Sequence, residues 1–183
     1  MRVGQLLIVA VVFGTLNMVA KEPALNLPLD PQGKITYHEE VPIKGVNAAE
    51  LYARARAWVA QTYQDPQDEF QLDDQARKQL AVRGYFSISY LGDYAMLRHA
   101  LTIEPKDGQY RVTLTDLVLD WDNNSIISVD SYMTAAGQPR KGANKMLVQA
   151  DKACRDALTS LAAAMHKPSP AEKKAAGKKK SGK

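Results

Sequence analysis

Cysteine is nearly absent. One thiol, Cys154, in 183 residues excludes a disulfide framework and a cysteine-based structural zinc site. Long apolar runs are missing as well. The longest, Leu6 to Val19, is uncharged and falls short of the ~20 residues that cross a bilayer, which excludes a polytopic membrane protein. No glycine-rich phosphate loop and no serine in a nucleophile elbow occurs, so the commonest nucleotide-binding and esterase signatures are missing. Apolar residues at 45% and charged residues at 24% exclude a wholly disordered or fibrous chain and leave room for one globular domain.

Charge is present but unevenly placed. Residues 167–183 hold seven lysines and one glutamate, a local +6. The chain total of +4 therefore leaves −2 on residues 1–166. The basic pI near 9.1 belongs to the tail and not to the body. A sequence-specific nucleic-acid binder carries its cations on a folded face, so that class is not expected. The tail alone suits loose contact with a polyanion or a membrane surface. Its lysine, alanine, glycine and serine offer no apolar surface to offset ordering, so disorder is expected from 167 to 183.

The N-terminus has Arg2, then a short apolar stretch, then a small residue at Ala20, which is the pattern of a secretory signal over residues 1–20. An exported chain, periplasmic or secreted, without a transmembrane helix in its mature form, is the expectation. Pro23, Pro28 and Pro31 mark residues 21–32 as a linker. The folded domain is expected over 33–166.

Within that body, Ile35, Tyr37 and Val41 alternate with polar residues at strand spacing. Asn47 followed by Glu50 resembles a capping box. Leu51, Ala55, Trp58, Val59 and Thr62 then fall on one helical face, with Glu50 and Arg54 read as an outer i,i+4 pair. Short extended segments follow: 70–72, 80–90 with Gly84 marking a bulge or strong bend, 97–103, and 110–119 after a hairpin at Pro105 to Gly108. Ser125 to Met133 is ambiguous. A final helix spans Asn144 to Met165 with a stripe through Leu147, Ala150, Cys154, Ala157, Leu158, Leu161 and Met165. One-sided alternation in every strand predicts an α+β domain: an antiparallel sheet with two helices on one face and the other face open, in the order β-α-β-β-β-β-α.

Gly33-Lys34-Ile35, the helix residues Leu51-Tyr52 through Arg54-Ala55 to Trp58, Gly84 after Asp73-Asp74, and Tyr110-Arg111-Val112 with Leu114-Thr115-Asp116 resemble an uncharacterised family of exported bacterial proteins. That family is a domain of unknown function with a TATA-binding-protein-like fold. The resemblance implies a curved sheet backed by two helices. It implies no activity and no functional residue, and likeness to a DNA-binding saddle is no warrant for DNA binding.

The candidate site residues come from the outward files. His38, Arg83, Tyr85, Ser87, Arg98, Arg111 and Thr113 would share the open face, where three arginines among hydroxyls suit a small anionic or sugar-like ligand, or an envelope protein partner. His99 shares its file with Leu97 and Leu101 and is expected as a core histidine with a satisfied ring. Asp120, Asp122 and Asn124 copy the start of a calcium loop, but Ser125 and Ser131 stand where glycine and glutamate are needed. No cofactor and no metal is expected. The leading reading is a non-enzymatic binding module. The alternatives are a hydrolase-type site around His38 and Glu40, and a polyanion or membrane-surface binder acting through the lysine tail.

Overall fold

The structure, a computed structural model, describes residues 25–63, 69–122 and 125–167. The segment 1–20 expected as a secretory signal, the start of the expected linker and the tail beyond Lys167 lie outside them. The elements run β1 (Tyr37–Pro42), α1 (Ala48–Thr62), β2 (Glu69–Asp74), β3 (Gln79–Tyr90), β4 (Asp93–Lys106), β5 (Gln109–Trp121), β6 (Ile126–Ser128), a 3₁₀ turn (Val129–Tyr132) and α2 (Asn144–Met165). All strand pairs are antiparallel, in the order β1-β5-β4-β3-β2, with β6 added to the outer half of β5. The expected α+β class holds, with one strand more than the five expected. Ser125 to Met133 resolves into the three-residue β6 and the 3₁₀ turn.

The alternation in sequence is the alternation in burial. Leu97, Leu101 and Ile103 of β4, and Tyr110, Val112 and Leu114 of β5, are buried beneath the helices. Between them on each strand, Arg98 and Thr102, or Arg111 and Thr113, stay partly exposed on the other face. Helix α1 starts because two side chains satisfy its first amides: Asn47 Oδ1 accepts from the Glu50 amide at 2.9 Å, and Asp107 from the β4–β5 turn accepts from Ala48 at 2.7 Å. Helix α2 buries Leu147, Ala150, Cys154, Leu158, Leu161 and Met165, as its spacing predicted. The Tyr37 hydroxyl donates to Asp151 at 2.7 Å and so fastens edge strand β1 to α2.

Three expectations change. Arg54 is not on the outside. It is buried and donates through Nη1 to the Met165 carbonyl at 2.7 Å, closing the C-terminal end of α2 with a cation. Gly84 carries no bulge toward β4, because pairing runs unbroken through Gly84 and His99. The bulge lies on β5, where Arg98 faces Val118 but Ala100 faces Thr115, and the extra residue has the left-handed backbone of Asp116 (φ 55°). Finally, the described part of the proline-rich segment is not a free spacer. Leu27 is buried in the core, the Thr36 amide donates to the Pro28 carbonyl at 3.0 Å, and Leu29 bridges to Ile35.

Candidate functional site

Antiparallel register lays the open face out in rows. One end row runs Glu40, Arg111, Glu104. The next runs His38, Thr113, Thr102, Ala81, and the third carries Thr115, Ala100 and Arg83. Then the Asp116 bulge intervenes. Beyond it, β5 has changed phase: Leu117 and Leu119 turn inward, and Val118 and Asp120 come to the open face beside Arg98 and Met96. Tyr85 stands across from Arg98, and Ser87 across from Met96.

All seven candidate residues therefore lie on the predicted face, but in two groups. At one end Arg111 is committed. Its Nε and Nη2 donate to Glu40 Oε1 at 2.9 and 2.6 Å, and Nη1 lies 3.6 Å from Glu104. The guanidinium holds the Glu40 carboxyl below the usual carboxylate range, and Glu40 raises Arg111 in return. His38 Nδ1 is hydrogen-bonded to Thr113 Oγ1 at 3.0 Å on the exposed surface. The neighbouring Thr115 and Thr36 hydroxyls are 3.3 Å apart.

The second group surrounds the bulge. A hollow of about 430 Å³ is lined there by Arg83, Arg98, Ala100, Asp116 and Val118, with His99 and Gly84 at its floor. It exists because Ala100 is small and the bulge pushes the strand aside. Arg98 donates to Asp120 Oδ2 at 2.7 Å and is 41% exposed. Arg83 is exposed and forms no hydrogen bond or ion pair among the described residues. The expectation of three arginines free to grip one anion is thus corrected. Arg111 and Arg98 are each matched by a carboxylate, whereas Arg83 forms no ion pair among the described residues and shares its hollow with Asp116. Sequence reading missed Asp116, Val118 and Asp120 as parts of this face. The signal was present in the three-residue step from Leu114 to Leu117, which breaks the two-residue period.

Beneath the hollow, His99 is buried as expected. Its Nδ1 lies 3.2 Å from the Leu97 carbonyl, an acceptor only, so Nδ1 carries the proton. Nε2 then accepts from the Tyr63 hydroxyl at 2.8 Å, and the ring stacks on Phe86 with centroids 4.0 Å apart. Burial pushes this imidazole down to about 4, partly offset by the Leu97 carbonyl, so it is neutral at ordinary pH. Burial also raises the Cys154 thiol to about 12, which leaves it inert. Asp120 of the calcium-like run is occupied by Arg98, and Asn124 is outside the described residues. Among the described residues no three His, Cys, Asp or Glu side chains stand together as a metal site.

Residues 37–119 match the model of a family described as a domain of unknown function (DUF4468) with TBP-like fold. Among solved structures, a TBP-like protein from Parabacteroides distasonis is similar over 78% of this chain and 98% of its own, with a TM-score of 0.69 at 14% identity. A DUF4468 family protein from Bacteroides ovatus is similar over 79% of this chain and 92% of its own, with a TM-score of 0.65 at 19% identity. No curated protein matches the chain. At these identities the likeness is one of fold.

Proposed function

We propose that this TBP-like domain, similar in its central 37–119 segment to the DUF4468 family, is an exported, non-enzymatic binding module that uses the open face of its sheet. The observation that carries the reading is the hollow at the Asp116 bulge, where an unpaired Arg83 and a half-exposed Arg98 stand beside Ala100 and Val118. A cavity of this size with one or two convergent polar groups suits a small ligand. The guanidinium pair selects an anionic or sugar-acid group, gripped mainly by Arg83. Export rests on the residue pattern of 1–20. Among the described residues no helix is long and apolar enough to cross a membrane.

The hydrolase alternative draws no support from the geometry, since Glu40 is bound by Arg111 and His38 by Thr113, outside the hollow. The lysine tail lies outside the described residues and remains a second, independent contact for anionic surfaces.

The test is NMR titration of the full chain with a uronic acid and with inorganic sulfate. Shifts are expected at Arg83, Arg98 and Ala100. Arg83→Ala should weaken binding at least tenfold, while Arg111→Ala leaves it within twofold. Equal loss in both variants, or no shift at the hollow with either probe, would reject the reading.

A further inference from the structure

A second hollow, of about 610 Å³, lies on the helix side of the sheet. From the sheet it is lined by Tyr90, the last residue of β3, and by Trp121, the last of β5, which pairs with the buried Ala95 of β4. Tyr132 of the 3₁₀ turn contributes a third ring, and Arg140 and Lys141 contribute two cations. Buried Ala143 and Met146, at the start of α2, add an apolar surface.

The loop that carries the cations is braced. Met133 bridges to Pro139, the Arg140 amide donates to the Tyr132 carbonyl at 2.8 Å, and Arg140 Nε donates to the Ser131 carbonyl at 2.8 Å. Tyr132 and Arg140 are thereby held together at the hollow. The three rings differ from those of the core. There, Trp58, Tyr63, Phe86 and His99 contact one another, and Trp58 Nε1 and the Tyr63 hydroxyl donate to Ser160 and His99. Tyr90, Trp121 and Tyr132 also pack against the core, yet among the described residues they make no ring contact, and their hydroxyls and indole N–H have no partner. Lys141 is exposed and forms no ion pair among the described residues, and Asp93 is the one acid lining the hollow.

We infer that this hollow binds a small aromatic carboxylate, with its ring among Tyr90, Trp121 and Tyr132 and its carboxylate at Arg140 and Lys141. A cavity of this size, mostly apolar with a few polar groups on one side, is the usual form of a small-molecule site. Arginine and lysine from one loop call for an anionic group. The rings decide the rest of the ligand. Its π face accepts from hydroxyl and indole donors and stacks on aromatic side chains. An alkyl chain in the same place would cover those donors and pair with none of them. A sugar acid would set its hydroxyls against Ala143 and Met146, which offer no side-chain partner. The site shares no residue with the open-face hollow and stands or falls apart from it.

The experiment titrates the full chain with phenylacetate and follows the two indole N–H signals by NMR. Trp58, bonded to Ser160 at 3.1 Å in the core, is the internal reference and reports that each variant is folded. Phenylacetamide, cyclohexylacetate and glucuronate serve as comparisons. The expected result is a saturable shift of the Trp121 signal with Trp58 unmoved, and at least tenfold weaker binding of all three comparisons at Trp121. Lys141→Glu, an exposed change, should cut the preference for phenylacetate over its amide at least fivefold. Tyr132→Leu should weaken phenylacetate at least fivefold, while Arg83→Ala leaves it within twofold. A Trp121 signal that does not move, equal affinity for phenylacetate and any one of the comparisons, or an unchanged preference in Lys141→Glu would each overturn the proposal.

Discussion

The Tyr63 hydroxyl donates to His99 Nε2 across 2.8 Å of buried space, joining the end of α1 to the middle of β4 directly beneath the open-face hollow. This bond requires a neutral imidazole, because a protonated Nε2 has no lone pair to accept with.

Stability should therefore fall with acid earlier than ordinary carboxylates would dictate. The folded imidazole titrates near 4 and an unfolded one near 6.5. Between these values the unfolded state binds the extra proton, so the stabilisation is complete above about pH 6.5 and is lost progressively as pH falls toward 4. The full effect is about 3 kcal/mol. Urea midpoints at pH 7, 5.5 and 4 should drop steeply in the native chain and more gently in His99→Gln, after allowance for the lower starting stability of the variant. Parallel slopes would remove His99 from the account.

Asp116 should behave as a backbone position. Glycine adopts φ 55° freely, so Asp116→Gly should hold or raise stability by up to about 1 kcal/mol, whereas Asp116→Val should cost about 1–2 kcal/mol. Deleting Asp116 is a different matter. It would shorten the step from Leu114 to Leu117 to two residues, so Leu117 and Leu119 would stay inward in an unbroken alternation and the chain should fold with the hollow reshaped. Thermal melts of the three variants distinguish these outcomes. A deletion variant that fails to fold would show that Asp116 does more than add one step to β5.

Arg54 should be worth more than a surface cation. Arg54→Met retains much of the apolar stem but leaves the Met165 carbonyl without its charged donor, at a cost of about 2 kcal/mol. Arg54→Lys should recover part of it. Denaturation midpoints with an unchanged urea slope give the comparison, and an Arg54→Met midpoint equal to the native one would show that the clamp contributes nothing.

Much of the fold was legible. Period-two alternation in Leu97, Leu101 and Ile103, and the stripe from Leu147 to Met165, settle which faces meet, because burial of apolar side chains dominates both patterns. Arg54 could also have been read, since it stands three residues after Leu51 on the face that Ala55 and Trp58 share; its charge masked its position. The ionic pairing of the open face was not legible. Arg111 meets Glu40 across 71 residues of sequence, and Arg98 meets Asp120 only once the bulge has rephased β5. Such pairs depend on register, which single-strand patterns do not specify.

The rephasing of β5 makes one strand work as two independently indexed rulers. The inner half is ruled by its match to β1, the outer half by its match to β6, and Asp116 is the joint that lets the two scales differ. Lengthening the connection between β5 and β6 should thus be absorbed locally, so that related chains can vary that corner of the molecule while the Glu40–Arg111 end keeps its alignment.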